Sequence, residues 1–329
     1  MNLTKIGDNS FRVNHSVCPS ISKQQLFQFS ENCEGTENKV STLNFHQNAG
    51  VDLLDSILCV KKGGFLYPVK QVGFSTSLTL IDGAASVFIF NDFGKLDSHY
   101  SLSRESPSCS FYIRIPQNTW FAVYQPYLKP AFIKVTGVGA ARVCSNGFNH
   151  FPFSPTDQSD WIDYFNGLCD RKLGESEEFY PEVFEQVSDV VFMSTRRIVT
   201  VNFDQLDKVC IAASSSPSMR ARLCCHSNLQ DKLQEMFIAL RRDVEIEESV
   251  HIRKDESLTV LKGTGSYIFP NEDRTVRHDI QLSVDATFYA RINRYVPHKI
   301  LVTSDLMLIH EATTGPFSKD DTVYRIEGA

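Results

Sequence analysis

The feature that most constrains this chain is that it repeats itself. The segment "ISKQQLFQFSENCEGTENKVSTLNFHQNAGVDLLDSI" (Ile21 to Ile57) matches "VNFDQLDKVCIAASSSPSMRARLCCHSNLQDKLQEM" (Val201 to Met236). Leu26 falls on Leu206 and His46 on His226 at a spacing of 180 residues, and dropping one residue then puts Asp52 on Asp231. The 180 offset resumes with "TSLTLIDGAASVFIFNDFGKL" against "ESLTVLKGTGSYIFPNEDRTV". Next, "FYIRIPQNTWFAVY" against "FYARINRYVPHKIL" brings Phe111 onto Phe288 and Phe121 onto His298. "FPFS" at 151–154 echoes "GPFS" at 315–318. A shared order of motifs over most of each half reads as a tandem duplication, so one fold must serve twice.

Periodicity gives the outline of that fold. "FDQLDKVCIAAS" spaces Phe203, Leu206, Val209 and Cys210 as a helix. "SNLQDKLQEMFIALRRD" spaces Leu229, Leu233, Met236 and Leu240 as a second helix, with Asp231 and Glu235 near its start. From there the period falls to two, and "VEIEESVHI", "ESLTVLKG", "TGSYIFP", "HDIQLSV", "TFYARINR", "HKILVTS" and "LMLIHEAT" read as short strands separated by tight turns. The series predicts a mainly β, antiparallel sandwich or barrel in each copy, preceded by short helices. The expected organisation is an N-terminal domain over 1–155, a linker over 156–200 and a C-terminal domain over 201–329. The segment Ser154 to Val187 has no evident counterpart before Ile21. Its helix-compatible stretches, Trp161 to Cys169 and Pro181 to Val187, suit a brace between domains or a surface insertion.

Composition narrows the function classes. A chain of 329 residues, 42% hydrophobic and 22% charged, can bury two cores. The net charge is −6 without any Lys/Arg block, which removes the electrostatic case for a nucleic-acid partner. No apolar run approaches the roughly 20 residues of a membrane helix, and the polar N-terminus has no apolar core of a signal peptide. Nine cysteines with irregular spacing and no C-x-x-C pair suggest buried or free thiols in a reducing compartment, hence the cytoplasm.

The chemistry concentrates in "SVHIRKDESLTVLKG", Ser249 to Gly263. His251 and Glu256 are five apart, which on a regular strand puts them on opposite faces; a bend at "RKD" would bring them to one. The spacing His-x4-Glu-x6-Gly resembles the first motif of the cupin superfamily. The resemblance implies a double-stranded β-helix, here as two tandem antiparallel β-barrels. It also implies a divalent metal held by histidines and a glutamate, with a further His on a later strand. His298 in "RYVPHKILV" is that candidate, with Pro297 before it but without the usual Gly. "ASSSPSMRARLCCHSNLQDKLQEMFIAL" and "LIHEATTGPFSKDD" further resemble the WbuC family of small cupins, which implies a setting in bacterial surface polysaccharide metabolism. The likeness covers Phe203 to about Asp321 well and Ile21 to Pro155 weakly.

The departures from that family are informative. "ESVH" stands where the family has Pro-His-x-His, so Ser249 replaces a first ligand, and "TVYRIEGA" replaces an acidic and aromatic ending. His251, Glu256 and His298 remain, a set able to hold Zn, Fe(II), Mn or Ni with open positions. In the first copy Val69, Gln71, Thr76 and Phe121 take the places of Ser249, His251, Glu256 and His298, which predicts no metal there. Arg222, with Arg220, is a candidate for an anionic sugar or phosphate group. His226 is a further candidate, although its match to His46 favours packing at a helix start. Tyr267 and Arg291 are weaker cavity candidates, and Glu311 is turned inward by resemblance. The expected ligand is a small carbohydrate or sugar nucleotide, with a homodimer open. Two function classes follow: a metal-dependent sugar-modifying enzyme, or a non-catalytic binding or assembly protein whose metal site has decayed.

Overall fold

The computed structural model describes residues 3–7, 10–13, 18–31, 38–46, 53–139, 151–152, 158–170, 184–244, 246–271 and 275–324. The first copy runs through β1 (Leu3–Gly7), β2 (Ser10–Val13), β3 (Ser20–Ser22), α1 (Lys23–Glu31), β4 (Val40–Asn44), β5 (Leu53–Val60), β6 (Phe65–Lys70), β7 (Thr76–Asp82), β8 (Ala84–Phe90), β9 (Leu96–Ser103), β10 (Tyr112–Ile115), β11 (Trp120–Tyr124) and β12 (Ala131–Val138). After α2 (Gln158–Asp170) the same order returns. It comprises β13 (Phe184–Ser188), β14 (Val191–Ser194), β15 (Val199–Val201), α3 (Phe203–Ser215), β16 (Arg220–Cys224), β17 (Leu233–Arg241), β18 (Ser249–His251), β19 (Glu256–Lys262), β20 (Thr264–Pro270), β21 (Val276–Ser283), β22 (Thr287–Ile292), β23 (Lys299–Val302) and β24 (Leu306–Thr314). A last strand, β25 (Thr322–Tyr324), has no counterpart among the described residues of the first copy.

The mainly β fold class is as the sequence indicates, but the sheets do not close into barrels. The first module is an eight-stranded sheet, β1-β2-β4-β5-β12-β7-β10-β15, facing a separate four-stranded sheet, β6-β11-β8-β9. In the second, one large sheet, β13-β14-β16-β17-β24-β19-β22-β21-β20-β23, curls over itself, and β18 pairs with β25. Pairing is antiparallel except at β2–β4, β14–β16 and the single pair Leu282–Thr287.

Three local expectations need correction. The second helix expected around Leu229, Leu233, Met236 and Leu240 is instead a turn at Leu229 followed by strand β17, hydrogen-bonded between β16 and β24. It is buried on both faces, so its apolar residues run continuously, and such a run does not distinguish strand from helix. The helix expected at Pro181 to Val187 is strand over Phe184–Ser188, while 181–183 lie outside the described residues. That strand pairs with β14 through the same kind of register shift as β1 with β2. β13 and β14 therefore repeat β1 and β2, within the segment expected as linker. Finally, no residue is dropped between His46 and Asp55 as compared with His226 and Glu235. His46 Nδ1 meets Asp55 O at 3.2 Å and His226 Nδ1 meets Glu235 O at 3.0 Å, nine residues apart in both copies. The match of Asp52 to Asp231 is set aside; Asp52 itself lies outside the described residues.

Each helix after a short strand begins with the same reciprocal cap. Ser22 and Gln25 exchange bonds of 2.9 and 3.2 Å; Asn202 and Gln205 exchange two of 2.9 Å. The strands before these helices cross over: β3 pairs with β22 of the second module and β15 with β10 of the first. α2 lays Trp161, Phe165 and Leu168 on Phe65, Phe88, Phe90 and Trp120, covering the outer face of the four-stranded sheet.

The modules meet through the faces of their large sheets, where apolar packing surrounds a set of buried polar and charged side chains. Tyr112 OH donates to Glu235 Oε2 at 2.9 Å, and Arg114 Nη1 lies 2.8 Å from the same oxygen. By the repeat, Tyr289 OH donates to Asp55 Oδ2 at 3.1 Å, with Arg291 Nη1 at 3.6 Å. Each module's acid is thus held by the other module's tyrosine and arginine, and Lys134 sits 3.7 Å from Asp55 with no exposure. Buried charges persist only when paired in this way.

Candidate metal centre

The site is built by a bend. β18 ends at His251; Ile252 N then donates to Asp321 O at 3.0 Å, and Arg294 N donates to Asp255 Oδ1 at 3.1 Å. Pinned at both ends, the turn carries Glu256 round to the side of His251. His298 is held alongside through a two-way backbone bridge with Ser249, 3.0 and 3.1 Å. One ligand atom from each of His251, Glu256 and His298 lies within 4.8 Å of the others. His251 Nε2 is 3.0 Å and His298 Nε2 3.9 Å from Glu256 Oε2.

These separations approach the about 3.0–3.4 Å expected between adjacent donors on a metal with bonds of about 2.1 Å. Hydrogen bonds orient the rings. His298 Nδ1 donates to Val296 O at 2.9 Å, which turns its Nε2 towards Glu256. His251 Nδ1 meets Thr322 Oγ1 of β25 at 3.2 Å. Tyr267 OH donates to Glu256 Oε1 at 2.9 Å. Two imidazoles and one carboxylate in a half-buried pocket fit a divalent cation.

Electrostatics separate the two carboxylates of the site. Burial would raise Glu256, but the hydrogen bond from His251 and the charges of His298 and His251 bring it down to about 2. Glu311 is raised to about 7, by burial first and the Glu256 charge second, against the opposing pull of Lys254, His251 and Arg222. Burial and the adjacent Glu256 keep Tyr267 protonated.

The triad opens on a cavity of about 520 Å3 that also takes in Arg220, Arg222, Lys254, Lys299 and Glu311. Arg222 and Glu311 therefore stand where a ligand would lie. Tyr267 reaches the site through Glu256 and is itself fully buried. Two sequence candidates are elsewhere. His226 is 3% exposed, its ring held by the backbone of Glu235, because both copies use this His to tie β17 or β5 to the strand before it. Arg291 points away from the cavity into the module contact, where Asp255 Oδ2 lies 2.9 Å away. Thr322 and Lys254 were not read from the sequence. Thr322 reaches His251 only because β25 pairs with β18 across some seventy residues, which no local pattern announces.

In the first module the equivalent positions are filled differently. Phe121, opposite Val69 as His298 is opposite Ser249, is 3% exposed within the apolar core. Gln71 Oε1 and Thr76 Oγ1 are buried without a hydrogen-bond partner among the described residues.

A family model described as a domain of unknown function (DUF6016) matches residues 201–282. No curated protein matches the chain. Among solved structures, the chain is similar to a cupin 2 conserved barrel domain protein from Leptotrichia buccalis, with 10% identity, 92% of this chain and 99% of that one covered, and a TM-score of 0.52. It is also similar to a salicylate 1,2-dioxygenase from Pseudaminobacter salicylatoxidans, with 11% identity, 95% and 88% covered, and a TM-score of 0.62. A variant of that dioxygenase in complex with gentisate gives 0.59 at 11% identity over 95% and 86%. At such identities the likeness concerns the fold alone: the chain has a cupin fold, taken twice.

Proposed function

We propose that the protein is a cupin metalloprotein in which His251, Glu256 and His298 of the C-terminal module hold a divalent metal beside a small-molecule cavity. The single observation carrying this reading is the convergence of those three ligand atoms within 4.8 Å at the cavity wall. A bound metal would supply Lewis acidity to a ligand oxygen. The chain's own groups do the rest: Tyr267 and Thr322 hold the ligands in place, and Arg222 and Lys254 attract negative charge. Glu311, raised to about 7, can take or give a proton at its carboxylate near neutral pH. The finer reading is a carbohydrate or sugar-nucleotide ligand in surface polysaccharide metabolism. It rests on the WbuC-like segments and on the cations Arg220, Arg222, Lys254 and Lys299, which suit a diphosphate. In this reading the first module, within the expected 1–155, is a degenerate partner, the second, which adds β13 and β14 to the expected 201–329, is the working one, and light scattering tests for a homodimer. Metal analysis of chelator-free protein tests the centre: wild type should carry about one equivalent and His298→Ala far less. Absence of metal in wild type, or equal loading in the variant, would sink the proposal.

Ser249 favours a second reading, a non-catalytic sugar-binding or assembly protein. The missing first ligand weakens the centre, and the first module has none of the three ligand residues. Carbohydrate binding that survives complete metal removal would select it.

A further inference from the structure

The repeat gives each polar position at the module contact a counterpart that serves as its control. On one side of the contact the arginines are neutralised. Arg291 Nη2 lies 2.9 Å from Asp255 Oδ2, Arg294 Nε 3.4 Å from Asp255 Oδ1, and Arg253 Nε 2.7 Å from Asp321. Lys254 turns away, over the ring of Phe317. Asp255 is 1% exposed, so this side is filled.

The other side keeps the frame and loses the acid. Arg114, the counterpart of Arg291, reaches Leu233 O at 3.0 Å just as Arg291 reaches Leu53 O at 2.8 Å. Where Asp255 stands in one copy, the offset of 180 puts Ser75 in the other. What remains is a cleft of about 360 Å3 between the modules, lined by Ser75, Arg114, Arg196, Arg197, Asp231 and Lys232. Asp231 is already committed, accepting from Ser227 N at 3.0 Å and lying 3.6 Å from Arg114. Arg197 reaches only the Thr119 hydroxyl, at 3.4 Å. Among the described residues, no carboxylate pairs with Arg197 or Lys232. The cleft shares no lining residue with the metal cavity.

We propose that this cleft is a second binding site, for a small phosphate-bearing anion that takes the place Asp255 fills in the other half. Arg197 and Lys232 contact it and Ser75 offers a hydroxyl, while Arg114, neutralised by Glu235 at 2.8 Å, forms the wall behind. A guanidinium fork and an ammonium together match a doubly charged, multi-oxygen group better than a single carboxylate. Because residues of both modules line the cleft, its ligand would tie them together.

The test is thermal unfolding of the full chain with inorganic phosphate, against sodium chloride at matched ionic strength. Binding to the folded state alone raises Tm with the logarithm of phosphate concentration above the dissociation constant, and a rise of several degrees beyond the salt control is expected in wild type. It should vanish in the Arg197→Gln, Lys232→Gln double variant, both positions being exposed. It should also vanish in Ser75→Asp, which restores the missing carboxylate and should raise Tm without phosphate. No rise beyond the salt control in wild type, or an equal rise beyond it in either variant, overturns the proposal.

Discussion

Replacing Glu235 by Gln tests the polar contact between the modules. Glu235 has no exposure and faces Arg114 Nη1 at 2.8 Å, Tyr112 OH at 2.9 Å and His310 Nε2 at 3.4 Å. Burial would raise its carboxyl, but His310, Arg114 and Ser77 together pull it from 4.5 down to about 2. At about 1.4 kcal/mol per pH unit, the ionised carboxylate stabilises the folded state by about 3 kcal/mol. The folded value is depressed, so this stability is fully present above about pH 4.5 and is lost as pH falls towards about 2. Glutamine keeps the shape and removes the charge, leaving Arg114 with Leu233 O and the more distant Asp231. Urea unfolding at pH 7, followed by circular dichroism, should show a loss of about 3 kcal/mol. The gap between wild type and variant should narrow as the pH is lowered from 4.5. A loss under about 1 kcal/mol, or a gap indifferent to acid, would refute the assignment of the carboxylate as the ionised centre of the contact.

Other consequences are as direct. Gly83 and Gly263 have φ of +82° and +81°, and a Cβ at either would strike a backbone carbonyl, of Pro130 or Leu306. Gly263→Ala and Gly83→Ala should each cost on the order of 1–3 kcal/mol in chemical unfolding, and costs near zero would count against the turn geometry. Phe121→Ala opens a void in the first module's core and should cost about 3–5 kcal/mol, while metal content at the second module stays unchanged. A fall in metal content there would tie the two interiors together.

The duplication is legible in the chain alone, because the two copies face the same packing demands at the same spacing. Gly83 and Gly263, or His46 and His226, recur since each solves one backbone problem that arises twice. The chain also marks the triad as candidates: a Gln, a Thr and a Phe hold those positions in a copy that keeps the same strands, so the strands alone do not require His251, Glu256 and His298. What the chain could not show locally is β17, since a strand buried on both faces has no alternation to read. The inward turn of Glu311 and the outward turn of Arg291 depend on which sheet face meets the other module. The match of Ser75 to Asp255 is visible in the numbering, yet only the packing of two sheets makes it the difference between a filled contact and a cationic cleft. These points are set by sheet pairing and burial rather than by neighbours in the chain.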